Sequence, residues 1–237
     1  MKNYSATGLV LRRHNLGEAD RILTIFTREK GKIKVVAKGV RRGKAKLAGH
    51  LEPFCEIELR FVKGRNLDLV IGAEATHIFR LPMQIEDTLV TSYTILEILS
   101  KMLPEEQPNE TAYDLLVEVL TILCEDINPH LVTQYFSLKF LQTIGSQPDL
   151  DDTVPGSRHY LAYDSGQVLP QRPHEHYGII SDETIKLWRL IYTNPLNQIA
   201  RINEVNDVLL EGENLLTQYY QYHFNLKFVS PKVFQAK

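Results

Sequence analysis

The stretch RILTIFTREKGKIKVVAK, residues 21–38, decides which fold class the sequence predicts. β-branched and aromatic residues are concentrated in both halves of this stretch, and each half is too short for a helix. Between the halves lies Arg28-Glu29-Lys30-Gly31, whose glycine suits a hairpin turn that needs a positive φ. We therefore predict one strand over Arg21–Thr27, a second over Lys32–Lys38, and a hairpin that joins them.

Three more strands flank this hairpin in the first third of the chain. Thr7–Arg13 precedes it, and Glu56–Val62 and Leu67–Ala73 follow it. The last two are separated by Lys63–Asn66, a four-residue connection with a glycine, which indicates a second hairpin. Five antiparallel strands, with no intervening helix long enough for a parallel crossover, favour a small closed barrel of the OB type.

The rest of the sequence has the periodicity of helices from Leu89 onward. Asn128-Pro129 provides an N-cap and a first-turn proline, and the hydroxyl of Ser181 can cap a second helix. A last helix is expected within Val205–Tyr222. This part of the chain is predicted to be a bundle of helices.

The helical pattern is interrupted at residues 146–180, which contain four prolines and three glycines. We interpret this segment as an irregular insertion. The sequence then predicts an α+β protein with two domains, a five-stranded OB-fold barrel over residues 1–80 and an α-helical domain over residues 81–237 that carries the insertion.

The charge is distributed unevenly between these two predicted domains. Residues 1–80 carry 17 Lys and Arg against 8 Asp and Glu, a net charge of +9, and the remainder carries a net charge of -11. A basic barrel attracts polyanions such as nucleic acids. An imbalance that arose by chance between two small domains is the alternative interpretation.

The segment Lys38–Lys46 places five cations and two glycines between the third and fourth predicted strands. Such a loop can follow a phosphate chain, and phosphates bind basic grooves by releasing counterions, with little readout of sequence. A solvated loop without a ligand is the alternative. The candidate DNA-binding residues are Arg12, Arg13, Arg21, Lys34, Lys38, Arg41, Arg42, Lys44 and Lys46.

Catalytic and metal-binding functions find little support in the sequence. Walker loops, dinucleotide-binding glycine motifs and nucleophile elbows are absent from it. His174-Glu175-His176 could hold a metal on an extended strand, but no third ligand is adjacent, so an exposed polar turn is the preferred interpretation. We predict that the protein is not an enzyme and uses no cofactor and no metal.

The expected location is the cytoplasm. Cys55 and Cys124 both lie in apolar runs and offer neither a disulfide framework nor a thiolate cluster. The first residues lack an apolar signal region, and no stretch approaches the roughly 20 apolar residues that cross a bilayer. We therefore expect no association with a membrane.

The predicted barrel contains a series of ordered motifs, namely Thr7–Leu11, Gly17–Thr24, Phe26-Thr27, Gly31, Ala37–Arg42 and Leu51–Phe54. In this order they resemble the RecO family of bacterial recombination mediators. The plan of barrel, helices and insertion is similar over the rest of the chain. The resemblance implies a nucleoid-associated protein that binds single- and double-stranded DNA and anneals complementary strands. It also implies that the protein acts with RecR to load RecA onto DNA coated by single-strand-binding protein.

The insertion departs from the family pattern. Many members carry two Cys-x-x-Cys pairs there that form a zinc site, whereas Asp152–Gly156 and Pro170–Pro173 stand at those places in this sequence. The insertion is therefore expected to be a degenerate version of a zinc finger. Proline can restrict turns that a metal would otherwise hold.

The resemblance further implies that the helical domain binds the acidic, apolar-ended C-terminal tail of single-strand-binding protein. The helix before the insertion, Pro129–Ile144, has Lys139 as its only Lys or Arg. We expect a site formed by this lysine and by exposed members of its aromatic neighbours Tyr135, Phe136 and Phe140. Burial of these aromatic side chains in the core is the alternative.

Two other kinds of binding function stay open at this point. An OB-fold that binds through phosphate charge and stacking need not discriminate between sugars, so the barrel could bind RNA. The protein could instead be an adaptor that acts mainly through its acidic helical domain.

Overall fold

The computed structural model describes residues 3–42, 45, 47–82, 85–125, 127–200 and 206–228. The barrel strands are β1 (Asn3–Leu16), β2 (Asp20–Thr27), β3 (Gly31–Ala37), β4 (Cys55–Val62) and β5 (Asp68–Ile78), with a short 3-10 helix at Ala48–His50. The later elements are α1 (Glu86–Met102), α2 (Glu110–Ile122), α3 (Pro129–Thr143), β6 (His159–Ala162), β7 (Val168–Leu169), β8 (Tyr177–Ile180), α4 (Asp182–Thr193), α5 (Leu196–Ile199) and α6 (Asn206–His223). The α+β class is confirmed.

The five N-terminal strands close into a barrel in the order β1-β2-β3-β5-β4. Both predicted hairpins are present. The expectation that all strand pairs are antiparallel is wrong for β3 and β5, which pair in parallel through Val35 with Asp68 and Val36 with Leu69. A ring of five strands cannot alternate in direction all the way round, so at least one pair of neighbours must be parallel.

A β-bulge in β1 decides which way its basic residues point. The register shifts between Val10, which pairs with Ile25, and Arg12, which pairs with Thr24, so that Leu11 is the extra residue. Val10 and Ile25 belong to the apolar cluster inside the barrel. Because of the bulge, Arg12 lies on the outer face of the barrel and Arg13 follows it on the inner side, at the end of the barrel.

The chain divides into two compact units, Met1–Leu81 with Leu96–Leu120, and Pro82–Ile95 with Thr121–Lys237. In the first unit, residues 100–114 cover part of the outer face of β2 and β3. The ring of Phe26 lies 5.5 Å from that of Tyr113, and Lys32 Nζ donates to the carbonyl of Ser100 at 2.7 Å. This covering segment comes from the sequence that we assigned to the helical domain.

The core of the second unit is organised around the buried amide of Gln134 on α3. Its Nε2 donates to the carbonyl of Leu209 on α6 at 2.8 Å, and its Oε1 accepts from Trp188 Nε1 on α4 at 2.8 Å. One side chain therefore links three helices, and its polar groups are paired inside the core. The predicted N-cap of α3 is confirmed, since Asn128 accepts from the amide of His130.

The insertion is more regular than the predicted irregular segment, because β6, β7 and β8 form a three-stranded sheet in the order β7-β6-β8. Buried His159 organises the loop before it. Its Nε2 accepts from the amide of Val154 at 3.0 Å, and its Nδ1 lies 3.7 Å from Asp182 Oδ1. Asp182 also accepts from the amide of Gly156, and Ser181 caps α4 as predicted.

Gly31, in the turn between β2 and β3, provides a test of this fold. It has φ +68°, and a Cβ there would lie 2.1 Å from the carbonyl oxygen of Gln107. We expect Gly31→Ala to lower the free energy of unfolding by about 3 kcal/mol, because the conformation is strained and neither backbone segment can yield easily. Chemical denaturation measures this change.

Gly17→Ala is the matched control. Gly17 also has a positive φ, +59°, but no atom lies within 4 Å of the position of its Cβ. The control should therefore lose only about 1 kcal/mol, the conformational part of the penalty. Equal losses in the two variants would show that the segment around Gln107 does not pack on this turn.

Candidate nucleic-acid interface

The first part of the basic loop is fixed to the turn between β1 and β2. Arg41 donates from its amide to the carbonyl of Ala19 at 3.0 Å and from Nη1 to the carbonyl of Gly17 at 2.8 Å. The amide of Gly39 donates to Asp20 Oδ1 at 2.8 Å, and Val40 is buried in the barrel interior. The segment from Lys38 to Arg42 is thus a defined part of the barrel, with Lys38, Arg41 and Arg42 exposed.

Arg13 and Arg21 converge on one carboxylate at this end of the barrel. Arg13 pairs with Leu23, two residues from Arg21, so the two arginines lie on the same side of the ribbon. Both form ion pairs with Glu52, Arg21 through Nη1 and Oε1 at 3.4 Å. Glu52 therefore positions the two guanidinium groups and offsets part of their charge.

A second basic row crosses the outer face of β1, β2 and β3. Arg12 pairs with Thr24, and Thr24 pairs with Lys34, so the two residues lie in one line across the strands, with their backbones about 10 Å apart. Lys34 Nζ lies 2.5 Å from Glu105 Oε1, and this hydrogen bond lowers the pKa of the Glu105 carboxyl. Lys34 is half-exposed but shares its charge with this carboxylate.

The other end of the same face is closed to a ligand by residues of the first unit. Lys32 is buried, and burial lowers the pKa of its ammonium group. Tyr113 packs on Phe26 and donates from its hydroxyl to Glu56 Oε1 at 2.9 Å. The open part of the face is therefore the part next to the β1–β2 turn.

We call this open basic surface the basic rim. Its members are Arg12, Arg13, Arg21, Lys38, Arg41 and Arg42, with Lys34 at its border. The sequence predicted all of them, together with Lys44 and Lys46, which lie outside the described residues. The rim presents guanidinium and ammonium groups to solvent on a rigid scaffold, which suits a flexible phosphate chain.

A cleft of about 610 Å³ that the sequence did not predict lies between the β4–β5 turn and the start of β1. Tyr4 donates from its hydroxyl to Asp68 Oδ2 at 2.6 Å, and Lys63 Nζ lies 3.0 Å from the same oxygen. Burial raises the pKa of Asp68, but these hydrogen bonds outweigh it and hold the pKa below its usual value. The cleft has mixed charge, so it is a weaker candidate for phosphate than the rim.

The expectation of exposed aromatic residues on α3 is wrong. Tyr135, Phe136 and Phe140 are all buried, with exposures of 3%, 0% and 0%, because α3 packs against both α4 and α6. Lys139 Nζ donates to the carbonyl of Tyr192 at 3.0 Å and lies 5.8 Å from the ring centroid of Tyr135. These residues line the core of the second unit.

A cavity of about 950 Å³ lies in the second unit, beside the Tyr192 end of α4. Exposed Lys186, Arg189 and Leu190 line one wall, and Pro148 and Leu150 belong to the other. Arg189 also donates to the carbonyl of Leu150 at 3.0 Å. Asp149 and Asp151 also line the cavity, so it combines two cations and apolar surface on α4 with two carboxylates. The sequence pointed to α3 instead.

The donor groups of the insertion do not fit a zinc ion. The stretches Asp152–Gly156 and Pro170–Pro173 contain no thiol. Within the described residues, no cluster of three or more His, Cys, Asp or Glu side chains could hold a metal. Of the helices that the structure describes, none has the length and apolar character to span a bilayer.

Comparison with known proteins gives the family of the chain. Residues 1–79 match the family described as Recombination protein O N terminal, and residues 84–232 match Recombination protein O C terminal. The DNA repair protein RecO of Cutibacterium acnes is 31% identical, and the match covers 95% of this chain and 96% of that protein. The protein of the same name from Dehalococcoides mccartyi is 30% identical over 97% of this chain and 92% of its own length.

The barrel, its basic rim and these matches lead to the same conclusion. Both family regions together span nearly the whole sequence, and the predicted resemblance is confirmed. The family acts in DNA repair and recombination, and its N-terminal domain is an OB-fold. The chain belongs to the RecO family of DNA repair proteins.

Proposed function

We propose that the protein is a non-enzymatic mediator of recombination and repair that binds and anneals single-stranded DNA through the basic rim. The observation that carries this proposal is that Arg12, Arg13, Arg21, Arg41 and Arg42 lie together beside the β1–β2 turn of an OB-fold barrel, where the described residues leave the surface open. Annealing brings two polyanions together, and a rim of cations reduces their repulsion. Double-stranded DNA offers the same phosphates and is the second ligand of this surface.

Family membership supports a proposal for the partners of this activity. We infer that the protein acts in the cytoplasm with RecR to load RecA onto DNA coated by single-strand-binding protein. DNA binding belongs to residues 1–80 in this scheme, and partner binding belongs to residues 81–237 with the insertion at 146–180. The opposite net charges of the two parts, +9 and -11, support such a division of labour.

The first test removes two exposed cations of the rim that lie on different elements, Arg12 on β1 and Arg42 in the loop. In the variant Arg12→Ala with Arg42→Ala, the slope of log affinity against log salt for single strands should flatten by about 1.4, or roughly 0.7 for each lost phosphate contact. Fluorescence anisotropy over a salt series measures this slope. Annealing should slow in parallel.

A control with the same change of charge is Lys186→Ala with Lys227→Ala, both exposed residues of the second unit. Its salt slope should stay that of the parent protein. Circular dichroism checks that both variants fold. An unchanged slope in the folded Arg12 and Arg42 variant would rule out the rim as the phosphate site.

Competition between DNA and RNA strands of equal length tests the alternative that the barrel binds RNA.

The second test concerns Glu52, which forms ion pairs with both Arg13 and Arg21. Glu52→Gln removes one negative charge from the rim and keeps a side chain of the same size. We expect single strands to bind about threefold more tightly at low salt, and the gain should shrink as salt screens the charges. Weaker binding would mean that Glu52 is needed to hold the arginines in place.

The proposed site for the tail of single-strand-binding protein is the 950 Å³ cavity of the second unit rather than the buried aromatic residues of α3. The apolar end of the tail would contact Leu150 and Leu190, and its carboxylates would meet Lys186 and Arg189. Because Asp149 and Asp151 offset the two cations of this cavity, binding of the acidic tail would depend mainly on its apolar end, with Lys186 and Arg189 pairing locally with its carboxylates.

Calorimetry with a synthetic tail peptide tests this site. Lys186→Glu should weaken binding about tenfold, because it places a like charge beside the peptide carboxylates. Lys227→Glu is the control and should bind normally. If Lys139→Glu abolishes binding in a folded protein while Lys186→Glu does not, the tail binds at α3, as the sequence predicted.

A further inference from the structure

The outer face of the insertion sheet has an unusual composition for a surface. In the register of β7, β6 and β8, Leu169, Tyr160 and Ile179 are directly opposite one another and share one face. The exposed faces of such sheets normally carry polar residues in alternation with buried apolar ones. Here Ile179 is 57% exposed, and Tyr160 is half-buried beside it.

The other face of the sheet is the one that packs into the second unit. Val168, Leu161 and Ile180 are buried, with exposures of 2%, 0% and 2%. A Cβ at Gly178 would lie 2.2 Å from Leu215 Cδ2, so this face already rests on α6. The apolar row with Tyr160 therefore does not serve the core of the unit.

Tyr177 and Arg172 extend this face into an aromatic surface with a cation. The rings of Tyr160 and Tyr177 are 5.5 Å apart in an edge-to-face arrangement, and Arg172 Cζ lies 5.1 Å from the ring centroid of Tyr177. Exposed Arg158 comes directly before β6. We call Tyr160, Leu169, Arg172, Tyr177 and Ile179 the aromatic face.

The segment that forms the aromatic face is less acidic than the rest of the C-terminal part of the chain. Residues 157–180 contain two arginines against two acidic residues, whereas residues 81–237 as a whole carry a net charge of -11. Aromatic rings and guanidinium planes are the groups on which unpaired bases stack, and arginine also binds the phosphates between them. Both kinds of group are placed together here, in an otherwise acidic part of the chain.

We propose that the aromatic face is a second binding surface for single-stranded nucleic acid, on which bases stack against Tyr160 and Tyr177 while Arg172 and Arg158 contact phosphate. The inference rests on the proposed function only in taking a single strand as the ligand. The two surfaces contribute in different ways, since the basic rim binds charge and the aromatic face binds bases. The stacking contribution of the two tyrosines is therefore largely independent of salt, whereas the phosphate contacts of Arg172 and Arg158 depend on salt.

The experiment uses the full chain and oligothymidine long enough to cover several OB-fold sites, about 40 nucleotides. In Tyr160→Leu with Tyr177→Leu, affinity should fall about a hundredfold at every salt concentration, roughly tenfold for each of the two stacked bases that are lost, with the salt slope unchanged. Tyr160→Phe with Tyr177→Phe keeps both rings and should bind as the parent protein does. Circular dichroism checks the folding of each variant.

Photo-crosslinking with oligonucleotides that carry 5-iodouracil locates the contact independently of affinity. Crosslinked peptides that contain Tyr160 or Tyr177 are expected. Crosslinks confined to residues 1–80, with normal affinity in the leucine variant, would overturn the inference and leave the basic rim as the only strand site. Loss of a protein partner with unchanged strand binding would also overturn it, because the aromatic face would then be a protein interface.

Discussion

The architecture of the N-terminal unit depends on how an odd number of strands closes into a ring. Among the described strands the parallel pair is β3 with β5, and it consists of two paired positions, Val35 with Asp68 and Val36 with Leu69. Because β5 occupies the place next to β3, the chain cannot turn directly from β3 into β4. The connection instead runs through residues 38–54, and of its described part Gly39 and Arg41 form hydrogen bonds to the β1–β2 turn and the start of β2.

The closure of the barrel by β5 thus explains why the cations of the basic rim lie beside the β1–β2 turn. Val40 and Leu51 anchor the crossing in the barrel interior, while Lys38, Arg41 and Arg42 between them face solvent. The carboxylate of Glu52 comes from the same crossing and holds Arg13 and Arg21 at the mouth. A rim that is partly neutralised in this way presents less net positive charge to phosphate than its cations alone would.

The insertion shows how a loop-rich segment can be organised by polar contacts that involve no thiol. His159 accepts from the amide of Val154, and Asp182 accepts from the amide of Gly156. On the buried face of the sheet, Gly178 permits close contact with α6. Tyr160 and Tyr177 therefore lie on the opposite face, away from α6. This packing also fixes the position of the aromatic face. Side chains alternate along β8, so Tyr177 and Ile179 lie on the face opposite to Gly178.

Local chemistry let the sequence by itself determine the strands, both hairpins, the caps at Asn128 and Ser181, and the cations of the rim. Each depends on residues close together in the chain, whether through alternation, a positive φ or a side chain that reaches a nearby amide. Tertiary structure alone decided the parallel closure, the burial of Lys32 under residues 100–114 and the pairing of Glu52 with two arginines. It also placed Tyr135, Phe136 and Phe140 in the core. Helix α3 has apolar residues on every side, and its burial results from the packing of α4 and α6 against it. Such contacts join residues far apart in sequence, and no local pattern encodes them.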